Sequence, residues 1–147
     1  MGDVVDERDL GPRLASRMTY LLKRTLLQLE ALQDEALGPA GITGRELGLL
    51  LALEGHEPAS QQEVANRLGV DRTSMVAYID RLEARGLVTR RPDPADRRRN
   101  VVELTDAGSA TVDAGVRASD EAEARLLDAL SARDAAQLRA LLGRLGS

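Results

Sequence analysis

The sequence contains no cysteine, no tryptophan and no phenylalanine, and each gap removes a class of chemistry. Without cysteine there is no disulfide scaffold, no thiolate metal site, no cysteine nucleophile and no thiol sensor of oxidants. The single histidine, His56, rules out a His-x-x-x-His metal spacing, and no glycine-rich phosphate loop occurs. No nucleophile, base or metal constellation can be assembled from what remains, so the expectation is a protein that is not an enzyme and takes no cofactor and no metal. No apolar run approaches the roughly 20 residues of a membrane span, and the opening MGDVVDERDLGPR has no apolar core of a signal peptide. A soluble, cytoplasmic protein with no membrane partner is expected.

What is there fits one domain: 147 residues are enough for a single core and too few for two comfortable ones. The net charge of −4 hides an asymmetry. Between Ser60 and Leu104 nine arginines face seven acidic residues, and from Arg85 to Arg99 six arginines face only Asp93 and Asp96. Positive charge is therefore concentrated in one short stretch of an acidic chain.

Apolar residues at Leu14, Met18, Leu21, Leu22, Leu29 and Leu32 have the spacing of an amphipathic helix over Leu14 to Ala36, stopped by Gly38 and Pro39. Thr43 and Glu46 form a capping-box pattern that opens a second helix ending near Gly55. Ser60 and Glu63 form another, opening a short helix with Val64, Ala65 and Leu68 inward and Gly69 at its end. Asp71 then caps a helix in which Val76, Ile79 and Leu82 are expected to face the core, up to Gly86. Two helices joined by so short a glycine-containing turn form a helix-turn-helix. The runs Leu87 to Arg91 and Asn100 to Leu104, separated by the turn residues Pro92, Asp93, Pro94 and Asp96, read as a hairpin wing. Thr105 and Ser131 cap two further helices whose leucine stripes, like that of the first helix, must be buried against something, most simply a second copy of the chain. The fold class is mainly α with a small β-hairpin wing, a winged helix-turn-helix flanked by N- and C-terminal dimerisation helices.

Candidate contacts follow from this placement. With the core face of the Asp71 helix turned inward, the opposite face presents Arg72, Thr73, Ser74, Ala77, Tyr78 and Arg81, a set able to meet base edges in a major groove, although any exposed helix face is polar. Ser60, Gln61 and Gln62 lie at a helix N-terminus that favours a phosphate, or else serve only as a cap. The wing tip carries Asp96, Arg97, Arg98 and Arg99. Successive residues of a hairpin point to opposite sides, so one or two of these arginines should enter a minor groove, drawn by its negative potential, and the others should meet phosphate or solvent. Asp96 is expected to accept a guanidinium hydrogen bond and orient one arginine, or to be a plain turn residue. A winged module that binds protein instead of DNA would show an aromatic or aliphatic anchor on this face, and only Tyr78 could serve.

The stretch from Ser60 to Ser74, continuing through Asp80 to Val88, closely resembles the winged helix-turn-helix of MarR-family transcriptional regulators. The wing from Asp93 to Asn100, running into Leu104-Thr105-Asp106-Ala107-Gly108, is similar to that family's Asp-x-Arg tip and Leu-Thr-x-x-Gly sequel. The resemblance covers essentially residues 1–147 as one domain. It implies dimerisation helices over 8–37 and 106–146 and a DNA-binding lobe over 43–105, with the helix-turn-helix at 60–86 and the wing at 87–105. It also implies that Arg98, two places after Asp96, enters the minor groove, and that a homodimer binds a pseudo-palindromic operator on double-stranded DNA as a repressor, its reading helices about 34 Å apart. Many members bind small anionic or phenolic effectors, for which Arg17, Tyr20, Arg24 and His56 are the candidates here, although the scarcity of aromatic residues departs from what such a pocket favours.

Overall fold

A computed structural model describes residues 11–146, so residues 8–10 of the expected first helix lie outside the described residues. The elements run α1 (Gly11–Ala15), α2 (Met18–Leu37), a 3-10 turn (Gly38–Ala40), α3 (Gly44–Leu53), β1 (Ala59–Ser60), α4 (Gln61–Leu68), α5 (Arg72–Ala84), β2 (Val88–Pro92), β3 (Asn100–Leu104), α6 (Asp106–Leu127) and α7 (Ala132–Leu145). This is the winged helix-turn-helix the sequence predicts, with terminal helices on both sides.

The caps explain why the helices begin where they do. The Thr43 hydroxyl accepts the Glu46 N–H at 3.2 Å while the Glu46 carboxylate accepts the Thr43 N–H at 2.9 Å, so two orphan donors of α3 satisfy each other's residues. Ser60 and Glu63 repeat the arrangement at α4. Gly69 closes α4 at φ 62°, a left-handed conformation in which glycine carries no steric penalty, and Asp71 at once caps α5 by accepting the Ser74 N–H at 2.9 Å. A tight turn bounded by a left-handed glycine and a capping aspartate thus sets the junction of α4 and α5.

The structure corrects the sequence reading in four places. The first helix is two: the Ser16 hydroxyl donates to the Arg13 carbonyl and the Arg17 N–H returns to Leu14, closing a turn that separates α1 from α2. In α5 the buried stripe is Met75, Ile79 and Leu82, and Val76 lies at its half-exposed edge. Each three-residue step falls roughly 60° short of a full turn, so a strict spacing of three drifts off the core, whereas a step of four followed by three stays on it. Leu68 is exposed rather than inward. Finally, Ala59 and Ser60 add a third strand, giving the antiparallel order β1-β3-β2, with Ala59 opposite Val102 and Arg90 opposite Val102 from the other side. A two-residue strand next to a proline carries no periodicity for a sequence to show.

The chain divides into two compact units. One spans Gln33 to Glu121 and contains a core built on Leu37, Ile42, Leu50, Val64, Met75, Ile79, Leu82, Val88, Val102 and Val112, all buried. It extends beyond 43–105 at both ends, because Leu37, Ile42 and Val112 are part of that core. The Leu-Thr-x-x-Gly sequence has a mechanical role here. The Thr105 N–H donates to the Leu87 carbonyl at 3.1 Å, its hydroxyl donates to the Gly86 carbonyl at 2.6 Å and accepts the Gly108 N–H at 3.0 Å. Gly108 is pressed so closely to the wing base that a Cβ there would lie 2.0 Å from the Leu87 carbonyl oxygen.

The other unit comprises the segments up to Leu32 and from Ala122. In it Leu22, Leu26, Leu29, Leu126, Leu138 and Leu142 line an apolar groove of about 380 Å³, beside an Arg139 to Glu123 ion pair of 2.6 Å. Leu26, Leu27, Leu141, Leu142 and Leu145 are all exposed there, and α7 has no buried residue.

Gly108→Ala should lose about 1–3 kcal/mol of folding stability, because the backbone it would strike cannot rotate away. Gly48→Ala, whose added Cβ meets nothing within 4 Å in α3, should be neutral or slightly stabilising. Thermal melts followed by circular dichroism compare the two; equal melting temperatures would disprove the close contact.

Candidate nucleic-acid interface

The helix-turn-helix brings α4, α5 and the wing together. The N-cap Ser60, Gln61 and Gln62 of α4, Arg72 of α5, and Arg99 and Asn100 of β3 and its approach line one cleft of about 400 Å³. These residues stand far apart in sequence, yet they combine a helix N-terminus with two guanidinium groups, which suits an anionic backbone.

Within the cleft the capping box engages the Ser60 hydroxyl and its N–H, while the N–H groups of Gln61 and Gln62 belong to the first turn, where no intrahelical acceptor exists. The Gln61 Oε1 accepts Arg90 Nε at 2.9 Å, so its Nε2 is left as the donor. Gln62 donates along the helix to Asn66 at 2.8 Å.

On α5, Arg72, Thr73, Ala77 and Arg81 are exposed, as the sequence predicts. Ser74 is less available: its hydroxyl donates to Asp71 at 2.7 Å, completing the cap. Tyr78 is half-buried against the core, its hydroxyl accepts from Arg45 at 3.4 Å, and the Arg81 guanidinium lies 4.8 Å from its ring centre. Tyr78, the one candidate anchor of the protein-binding alternative, is thus only partly exposed. Arg81 Nε is also 3.9 Å from the buried Glu46 carboxylate, which lies 3.7 Å from Arg85. A carboxylate read in the sequence only as a cap therefore also ties α3 to the C-terminal half of α5.

At the wing the three arginines separate. Arg99 Nη2 bonds Glu63 at 3.0 Å and its Nε lies 3.7 Å from Asp93, strapping the wing to the start of α4. It is tied within the protein, although its side chain stays 46% exposed to solvent. Asp96 does not orient a guanidinium: its carboxylate accepts the Arg98 main-chain N–H at 3.0 Å, and its carbonyl accepts the Arg99 N–H at 2.9 Å. The geometry follows from side-chain length, since an aspartate reaches the N–H two residues on more readily than the far end of an arginine. Among the described residues the guanidinium groups of Arg97 and Arg98 have no hydrogen-bond or ion-pair partner.

Sequence reasoning missed Arg90. From β2 it reaches Gln61, Asp80 and Glu83, joining both helices of the helix-turn-helix to the wing. Its partners are too distant in sequence for any local pattern to announce them. Of the effector candidates, Arg17 precedes α2, Tyr20 and Arg24 lie one turn apart on it, and these three belong to the terminal-helix unit, whereas His56 belongs to the other, its Nδ1 3.2 Å from the Glu54 carbonyl oxygen. A separate cleft of about 420 Å³, lined by Arg45, Leu49, Leu68, Val70, Met75 and Tyr78 among others, contains none of the four.

A half-exposed helix packed by its inner stripe, preceded by a capped partner helix and flanked by a basic wing, defines a winged helix-turn-helix transcriptional regulator. The model of the MarR family matches residues 40–99. The transcriptional repressor NicR of Pseudomonas putida is 31% identical over 90% of this chain and 84% of its own length. The solved structure of the repressor CouR bound to a 23-mer DNA duplex superposes with a TM-score of 0.85 at 31% identity, covering 92% of this chain and 96% of that one. CouR from Rhodococcus jostii RHA1 bound to p-coumaroyl-CoA gives 0.78 at 29% identity, over 92% and 95% of the two chains. The chain belongs to the MarR family of transcriptional regulators.

The strap between wing and helix should respond to acid. The Ser60 N–H, with the Arg99 guanidinium beside it, holds the Glu63 carboxyl below its ordinary value of 4.5, and Glu63 in turn raises Arg99. A depressed folded-state value stabilises the fold above the unfolded pKa and ceases to do so as pH falls through the folded value. Stability contributed by this strap should therefore be fully present at neutral pH and fade below about pH 4.5. Melting curves of Glu63→Gln should lie below wild type at pH 7 and converge with it in that acid range; parallel curves at all pH values would refute the coupling.

Proposed function

We propose that the chain is a homodimeric repressor that binds double-stranded DNA at a pseudo-palindromic operator and is released by a small anionic or phenolic ligand. The observation that carries this reading is the pair of unpartnered guanidinium groups at the wing tip, Arg97 and Arg98, beside a reading helix whose exposed face offers Arg72, Thr73, Ala77 and Arg81. Unneutralised arginines on an otherwise acidic protein gain most from a polyanion, and a protruding tip suits the minor groove next to the major groove that α5 would occupy. Gln61, Gln62, Ser60 and Arg72 would hold phosphate at the cleft they line, with Ser74, Tyr78 and Asp96 supporting the readers rather than touching bases. Arg99 would keep the wing at the start of α4. CouR, solved both on a DNA duplex and with p-coumaroyl-CoA, a phenolic acyl group on an anionic carrier, supports the same pairing of activities. Arg17, Tyr20 and Arg24, which lie within two turns of one another at the start of α2, would be the first residues to test for effector binding.

The leucine groove of the terminal helices is where a second copy would dock, since so many exposed leucines on α2 and α7 are costly in water. The protein would act without catalysing a reaction, in the cytoplasm where its DNA lies; no described helix is long and apolar enough to cross a membrane.

Footprinting on the DNA upstream of the protein's own gene tests the reading directly. Two symmetric protected half-sites are expected, with affinity falling steeply between roughly 50 and 200 mM salt through counterion release. No preference for that DNA over random duplex would refute it. Arg98→Ala should weaken operator binding by at least about 1 kcal/mol, roughly fivefold in Kd; unchanged affinity would remove the tip from the interface. Leu142→Arg should convert the dimer to monomer in size-exclusion chromatography, and an unshifted elution would place the dimer elsewhere.

A further inference from the structure

Arg90 is the most heavily bonded side chain beside the reading surface, and no phosphate or base contact accounts for it. Its Nε donates to Gln61 Oε1 at 2.9 Å, its Nη1 to Glu83 Oε2, and its Nη2 to Asp80 Oδ1 at 2.5 Å, while its main-chain N–H donates to Glu83 Oε1 at 3.2 Å. All three guanidinium nitrogens are engaged, and the side chain is only 21% exposed. Asp80, by contrast, is 60% exposed on α5, one residue before the exposed Arg81. Left unpaired, the Asp80 and Glu83 carboxylates would present two negative charges beside a surface meant for phosphate, at a cost in affinity from like-charge approach.

Building on the DNA-binding reading above, we propose that Arg90 is a positioning residue of the reader: it cancels Asp80 and Glu83 on α5 and holds the Gln61 amide by its Oε1, leaving the Nε2 as the donor. Arginine is required because one planar fork reaches three acceptors on two helices in fixed directions; an ammonium of the same charge cannot. Arg90 thus sets how α4, α5 and β2 face the DNA without touching it. With the arginine, the two carboxylates lock the recognition helix to the wing.

The experiment compares full-length Arg90→Met, Arg90→Lys and the triple variant Arg90→Met, Asp80→Asn, Glu83→Gln with wild type. Each is titrated with the duplex upstream of the protein's own gene at several salt concentrations, alongside thermal melts. The expected result is a loss of about tenfold or more for Arg90→Met at low salt, shrinking as salt rises, because the uncovered carboxylates repel phosphate over a distance that salt screens. The triple variant should recover a substantial part of that loss, since the repulsion goes with the carboxylates. Arg90→Lys keeps the charge and the stem and so remains available if Arg90→Met fails to fold; it should bind several-fold more weakly than wild type. A slope of log Kd against log salt still reduced by about one unit in the triple variant, where the carboxylates are gone, would make Arg90 a direct phosphate contact and overturn the proposal. Wild-type affinity in Arg90→Lys, or no recovery in the triple variant, would overturn it as well. Wild-type protein that shows no preference for this duplex would fail the functional reading itself, whereas wild type that binds and variants that equal it would overturn this inference alone.

Discussion

The burial of one stripe of α5, Met75, Ile79 and Leu82, is the constraint on which the rest of the DNA-facing unit depends. Fully burying three such side chains contributes about 1.5–3 kcal/mol each, more than any surface ion pair in the molecule can. It fixes the rotation of the helix about its axis, and with it which residues face outward. Arg72, Thr73, Ala77 and Arg81 are presented because Met75, Ile79 and Leu82 cannot be.

Around that helix, acidic residues are used to hold basic ones in place. Glu46 caps α3 and stands against Arg81 and Arg85; Glu63 caps α4 and bonds Arg99; Asp80 and Glu83 bond Arg90. Each of these pairs is weak alone, being partly exposed, but each adds a directional link between two elements that share the same core. The consequence is electrostatic as much as mechanical. Asp80, Glu83, Glu46 and Glu63 are matched by arginines within the protein, whereas among the described residues the guanidinium groups of Arg72, Arg97 and Arg98 have no ion-pair partner. An acidic protein can in this way offer a local surface that a polyanion finds favourable.

The wing shows how position divides identical residues. Asp93 and Asp96 accept the N–H groups of Ala95 and Arg98 and shape the turn, Arg99 is drawn back to Glu63, and the two arginines between project. The Leu-Thr-x-x-Gly segment beyond is a joint: Thr105 bonds both ends of the Gly86 to Leu87 corner, and Gly108 lets α6 pass against the Leu87 carbonyl.

The sequence by itself determined what depends on near neighbours. Capping boxes, the left-handed Gly69 and the Asp71 cap involve residues three or four apart, so their spacing announces the helices and the turn between them, and the segmental charge announces the wing. It misjudged Val76 because a spacing of three was taken for a stripe, and it left the partner of Asp96 open between a guanidinium and a turn. The tertiary structure decided everything that needed two distant segments to meet. Arg90 and Gln61 are 29 residues apart and Arg99 and Glu63 are 36 apart, so the hub and the strap exist only once the sheet has placed β2 and β3 beside α4. The physical reason is the short range of hydrogen bonds: an arginine's chemistry is written in the sequence, but its partner is whichever acceptor the fold brings within about 3 Å.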